Sequence, residues 1–200
     1  MSNEFGERYA AEQIRRRRSL ARRVIKTLYL RNILRELTGP TIDLGCGAGQ
    51  LLERLPAGSI GLETNPNLVD HLLRLGLEAR LYDAIMDDFA LKGLERAVFA
   101  HLVCAHVIEH FADPATALRK LAKACERLGI QSMIFVVPGE RGFRSDNTHR
   151  TFVTADYIAA HGLQVLGSFR LHTVRYFPGN LRAIGRWFVY HECHLIWRRA

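Results

Sequence analysis

At 200 residues, with 48% hydrophobic and 24% charged residues, the chain can bury one good core and is too short for two ordinary domains. No run reaches the eighteen or so apolar residues that span a bilayer, and residues 1–7 lack the basic-then-apolar layout of a secretory leader. Cys46, Cys104, Cys125 and Cys193 form no C-x-x-C pair, which leaves no disulfide framework or zinc ribbon and predicts a soluble, cytoplasmic protein, while the formal charge of +8 draws attention to anionic partners.

That charge is concentrated. Arg15, Arg16, Arg17, Arg18, Arg22, Arg23 and Lys26 form one basic stretch, and on a helical wheel most of them oppose Ile14, Ala21, Val24, Ile25 and Leu28. The pattern predicts a basic amphipathic helix to about Leu37, its apolar side on the domain. Its basic face is either solvated or steers an RNA or an anionic membrane. Gly39-Pro40 stops it, so residues 1–38 form an N-terminal segment and 39–200 the remainder of one globular unit.

From there short apolar runs alternate with helical stretches. Strands are predicted at Thr41–Leu44, Ser59–Glu63, Glu78–Tyr82, Ala97–Ala105, Ser132–Val137, Leu163–His172 and His191–Arg198. Helices are predicted at Gln50–Leu55, Asn67–Leu75, Ala115–Leu128 and Thr154–His161. This alternation means an α/β fold with a mostly parallel sheet covered on both faces. The last two strands, joined through Phe177-Pro178-Gly179-Asn180, break the rhythm and imply an antiparallel strand in the edge region.

The strongest chemical signal is Thr41-Ile42-Asp43-Leu44-Gly45-Cys46-Gly47-Ala48-Gly49-Gln50, a strand running into a glycine-rich turn where backbone can approach a ligand closely. Dinucleotide binding is the first rival, but its G-x-G-x-x-G fingerprint wants a small residue where Gln50 stands. Asp43, two residues before the turn, suits a cationic ligand better than a phosphate.

The run Ile42 to Gly49 resembles the first motif of class I S-adenosylmethionine-dependent methyltransferases. The resemblance implies a Rossmann-like, doubly wound, mostly parallel sheet of seven strands with one antiparallel edge-region strand. It covers the chain from about Thr41 to its end, making 39–200 the methyltransferase domain. S-adenosylmethionine is the implied cofactor, with Asp43, Gly45, Cys46 and Gly47 along its methionine part. Glu63 after the second strand resembles the carboxylate that grips the ribose hydroxyls, and Asp83-Ala84 after the third resembles the adenine contact. Ala105, at the end of the fourth strand, borders the cofactor in a segment, Val103 to Phe111, that is similar to the family's V-L-E-H stretch.

Methyl transfer to a hydroxyl needs an aligned acceptor and a base, and a neutral imidazole has suitable basicity near pH 7. His149 is the first candidate and His106 the second. Arg141, Arg144 and Arg150 lie in the same post-strand segment and are read as substrate-binding cations. The expected acceptor is a small molecule, a sugar or another glycan precursor.

His106, Glu109 and His110 share one face of a helical turn and, with His149, form a set able to ligate a divalent metal. Small-RNA terminal 2′-O-methyltransferases resemble this layout, but His106 stands where they have a carboxylate. Thr148-His149-Arg150-Thr151-Phe152 is closer to the T-H-x-x-F-T segment of methyltransferases that use no metal. The expectation is therefore ordinary hydrogen bonding by these histidines and no metal. The alternatives are a metal-assisted RNA 2′-O-methyltransferase and a non-catalytic cofactor-binding module. His191 and His194 are expected to be structural.

Overall fold

The protein was analysed as a computed structural model that describes residues 29–200 together with Gly6 and Ala11. The basic stretch Arg15 to Lys26 lies outside the described residues. Eight strands form one sheet: β1 (Thr41–Leu44), β2 (Ile60–Glu63), β3 (Ala79–Leu81), β4 (His101–Ala105), β5 (Ser132–Pro138), β6 (Val165–Leu166), β7 (Phe169–Phe177) and β8 (Glu192–Arg199), in the order β3-β2-β1-β4-β5-β8-β7-β6. The first five run parallel, whereas β8 is antiparallel to both β5 and β7, and β6 is antiparallel to β7.

The central strands TIDL and SMIFVVP are buried along their whole length, as expected for a sheet covered on both faces. Tyr29, Leu30, Ile33 and Leu37 cover one face, against Val103, Ile134, Val136 and Ile196. On the other, Leu118, Leu121 and Cys125 pack with Leu102, Cys104, Phe135 and Trp197. The helices are set by their caps. The side chain of Asn65 accepts the amides of Asn67 and Leu68 to start α1 (Pro66–Arg74). Asp113 accepts the Thr116 amide to start α2 (Pro114–Leu128), which stops at Gly129 in the left-handed region. Two short helices follow β5: α3 (Glu140–Arg144) and α4 (Ala155–Ala160).

Three expectations need correction in detail. The sheet has eight strands because Gly167, at φ 59°, turns the run Leu163–His172 into a two-residue hairpin between β6 and β7. The reversed strand β8 is inserted between β5 and β7, and the antiparallel edge itself is the short β6. Gln50–Leu55 shrinks to a single 3-10 turn, Leu52–Arg54, since Pro56 follows too soon for an α-helix to propagate. All four cysteines are free and buried, and no described helix is long and apolar enough to cross a membrane.

Candidate functional site

The carboxyl ends of β1 to β5 share one edge of the sheet, and the chemistry-bearing side chains gather there. After β1, Gly45, Gly47 and Gly49 all take positive φ (76°, 54° and 78°). A Cβ on Gly45 would stand 2.3 Å from Val107 Cγ2, so only glycine lets the loop close against the β4 loop. Nothing lies within 4 Å of a Cβ built on Gly47, where the loop faces open space. Cys46 turns its side chain into the core beside Gly61, so any part it takes in ligand holding is a backbone one.

Glu63, at the end of β2, organises this loop: Oε2 accepts the Gly47 amide at 2.9 Å and Oε1 the Asn65 amide at 2.9 Å. Oε1 also accepts the Thr64 hydroxyl at 3.3 Å, so Oε2 is the oxygen that retains a lone pair for a further donor. Asp43 is 3% exposed and its Oδ2 has no hydrogen-bond partner. Burial, with the Glu63 carboxylate adding to it, pushes the Asp43 carboxyl up to about 7. An orphaned, buried carboxylate beside a second one is a site short of a cation. Asp83, beyond β3, is exposed, with Oδ1 taking the Ile85 and Met86 amides, and Ala84 beside it is buried.

At the end of β4, Ala105 leads into His106, whose backbone sits in the left-handed region at φ 58°. Its Nε2 donates to Glu192 Oε1 at 3.0 Å and its Nδ1 lies 3.4 Å from Glu109 Oε1. Burial alone would lower its pKa, but the Glu109 and Glu192 carboxylates beside it raise it to about 10. His106 is thus a standing cation between two buried carboxylates and has no free nitrogen with which to act as a base. The sequence reading missed Glu192. Its one signal was alternation: Glu192 and His194 are two apart on β8, so both face the edge, their side chains 3.5 Å apart. His191 faces elsewhere, its Nε2 donating to the Leu181 carbonyl at 3.1 Å.

His149 reaches this edge because the amides of Arg150 and Thr151 both donate to the backbone carbonyl of Glu109, at 2.8 and 3.1 Å. Its ring stacks on Phe143 (5.3 Å, 18°), and Nδ1 donates to the Phe143 carbonyl at 2.9 Å. A carbonyl can only accept, so in the neutral ring Nε2 carries the lone pair. That Nε2 lies 3.9 Å from Glu109 Oε1. His110 Nδ1 faces two oxygens of Thr148, the hydroxyl at 3.1 Å, which gives its own hydrogen to Asp146, and the carbonyl at 3.3 Å. One donor atom each from Glu109, His110 and His149 fall within 4.8 Å of one another, and neither oxygen of the fully buried Glu109 has a hydrogen-bond partner. The arginines differ: Arg144 pairs with Glu140 at 2.7 Å, whereas Arg141 and Arg150 are exposed without an ion pair among the described residues.

Residues 42–132 match the family model described as a methyltransferase domain. No curated protein matches the sequence. Among solved structures, a SAM-dependent methyltransferase from Archaeoglobus fulgidus is similar with a TM-score of 0.67 and 20% identity, covering 88% of this chain and 94% of its own. The N-methyltransferase NodS from Bradyrhizobium japonicum WM9, in complex with S-adenosyl-l-homocysteine, has a TM-score of 0.67 and 16% identity, with 98% and 97% covered. Magnesium protoporphyrin IX methyltransferase from Synechocystis PCC 6803, with bound SAM, has a TM-score of 0.57 and 13% identity, with 88% and 78% covered.

Proposed function

We propose that the chain is a class I, S-adenosylmethionine-dependent methyltransferase, in keeping with the methyltransferase-domain match over residues 42–132, and that it methylates a hydroxyl oxygen of a small acceptor such as a sugar or another glycan precursor. The observation that carries the donor side is Asp43, a buried carboxylate whose free Oδ2 calls for a cation beside the glycine loop. Asp43 would hold the ammonium of the donor's methionine part. The loop Gly45 to Gly47 would lie along that part, the Glu63 carboxylate would take the ribose hydroxyls, Oε2 through its spare lone pair and Oε1 in place of the long Thr64 contact, and Asp83 with Ala84 would border the adenine. S-adenosylmethionine supplies an electrophilic methyl carbon on a sulfonium and leaves as S-adenosylhomocysteine.

On the acceptor side, His149 Nε2 takes the proton of the hydroxyl as the oxygen attacks, and the Phe143 carbonyl keeps Nδ1 protonated throughout. Arg141 and Arg150, free of acidic partners, suit a phosphate or carboxylate on the acceptor; Arg144 is engaged by Glu140. Calorimetric titration with S-adenosylmethionine, followed by labelled methyl transfer to a panel of sugars and glycan precursors, tests both halves. Donor binding without turnover on any hydroxyl acceptor would favour a non-catalytic module, and no donor binding would remove the reading.

One observation favours a second reading, in which a divalent cation activates the hydroxyl. Glu109, His110 and His149 present donors with no proton fixed between them, and each histidine gives its Nδ1 hydrogen to a protein oxygen, His149 to the Phe143 carbonyl and His110 to Thr148, the usual support of a metal-bound imidazole. His106 takes no part, because Glu192 and Glu109 hold it. Under this reading a ribose 2′-hydroxyl joins the acceptors, and chelation abolishes turnover while leaving donor affinity intact. Full turnover after exhaustive chelation, with no metal found by elemental analysis, returns the proton to His149.

A further inference from the structure

The segment that joins β7 to β8, residues 178–191, belongs to neither half of the site described above. It contains no aspartate or glutamate, two arginines (Arg182 and Arg186), and the apolar or aromatic residues Leu181, Ile184, Trp187, Phe188, Val189 and Tyr190. Three of these stand in water: Trp187 is 74% exposed, Leu181 60% and Val189 39%. An indole left open in this way is costly, since a side chain of that size gains a few kcal/mol on leaving water.

The exposure does not come from loose backbone. His191, buried at the base of the segment, donates to the Leu181 carbonyl, and its ring packs so closely that a Cβ on Gly185 would stand 2.7 Å from its Nδ1. Asp156 of α4 pairs with Arg182. A Cβ on Gly142 of α3 would meet the Val189 carbonyl at 2.8 Å, so α3 is pressed against the segment. Phe143 of α3 in turn packs on Phe152 at 5.0 Å, and Phe152 is itself exposed. Leu181, Trp187, Val189 and Phe152 are therefore exposed on segments that brace one another.

Charge identifies the occupant. Arg141 and Arg186 are exposed, and no carboxylate pairs with either among the described residues. A bare indole among apolar side chains, flanked by unpaired guanidinium groups in an acid-free segment, fits the boundary of an anionic bilayer: the ring seats at headgroup level and the arginines meet lipid phosphates. A nucleic acid would leave Leu181 and Val189 in water. Position gives the docking a purpose. β7 runs in the same direction as β5, so the segment leaves the sheet at the edge that carries His106, Glu109 and His149.

We infer that residues 178–191, with Arg141 and Phe152, dock this edge of the protein on a bilayer surface bearing anionic phospholipid, so that the acceptor is met as a membrane-anchored amphiphile. The nature of the acceptor rests on the function proposed above; the docking does not.

The two tryptophans of the chain separate the test from any binding by the basic N-terminal stretch. Trp197 is fully buried, with Nε1 donating to the Leu163 carbonyl at 2.8 Å, so lipid-dependent emission reports on Trp187. The full chain is titrated with phosphatidylcholine vesicles with and without phosphatidylglycerol. The expected result is a blue shift with the anionic vesicles, quenched by bromine-labelled acyl chains and absent in Trp187→Ala. Trp187→Ala should also weaken vesicle partition about tenfold, and Arg186→Gln should weaken it several-fold and flatten its salt dependence. Both variants should keep their affinity for S-adenosylmethionine, which keeps failure of the docking apart from failure of the methyltransferase reading. Unchanged Trp187 emission with anionic vesicles overturns the inference, even if the protein pellets with them. So does a shift produced by single-stranded RNA and not by vesicles.

Discussion

Replacing Asp43 by asparagine keeps the shape of the β1 end and removes its charge. If Asp43 meets the donor's ammonium, the variant leaves that cation desolvated without its partner, a loss of about 2–5 kcal/mol, or roughly thirty-fold or more in Kd. The wild type carries a second signature. With its carboxyl at about 7, Asp43 must release a proton before it can hold the ammonium. Affinity should therefore fall about tenfold between pH 7.5 and pH 6 and by about another tenfold at pH 5. Above pH 8 the ammonium begins to lose its own proton, so affinity peaks between about 7 and 8. Stability of the free protein follows the same group with the opposite sign. A carboxyl raised in the folded state contributes stability below its unfolded value that is lost as pH climbs through about 7. The donor should thus raise the melting temperature more at pH 8 than at pH 5. Calorimetry across pH 5 to 8.5 on wild type and Asp43→Asn decides the matter. A flat wild-type profile, or an asparagine variant that binds as well as wild type at pH 7.5, refutes the assignment.

His149→Ala should lower turnover on a hydroxyl acceptor by about 10²–10⁴ while S-adenosylmethionine affinity stays within a few-fold; equal loss of both would make His149 structural. Glu192→Ala should lower the His106 pKa and cost about 1 kcal/mol in urea titrations, because it removes one of the two carboxylates that hold a partly exposed imidazolium, and an unchanged His106 titration would mean that Glu192 does not hold it. The His106 pKa, raised from 6.5 to about 10, implies stability present below pH 6.5 and lost as pH rises through 10. The urea midpoint of the wild type should accordingly drop between pH 8 and pH 10.5, and less so in Glu192→Ala.

The parts of this molecule that could be read from the chain are those set by neighbours in sequence. Thr41–Leu44 appears with the predicted bounds because a short apolar run into Gly45 is a local signal, and the carboxylates Asp43, Glu63 and Asp83 stand at or just beyond the ends of β1, β2 and β3 for the same reason. Elements governed by distant partners were harder. Gly167 falls inside the predicted strand Leu163–His172 and is the turn between two, and the run Ala97–Ala105 keeps only His101–Ala105 as strand, with Ala97 at φ 62°. Most instructive is His106. Its sequence context suggested a base, but of the two carboxylates that hold it charged, Glu109 and Glu192, the second arrives 86 positions later on the reversed strand β8. No spacing rule connects the two.

The paired amides of Arg150 and Thr151 on the Glu109 carbonyl have a mechanical meaning. They fasten the loop after β5 to the loop after β4, so His149 and Glu109 travel as one jaw and their spacing is insulated from whatever enters. α3 rides with them, since its Phe143 stacks on His149 and takes the Nδ1 hydrogen, and the segment 178–191 is pressed against α3 through Gly142. A change in that segment would therefore be felt at His149 through α3.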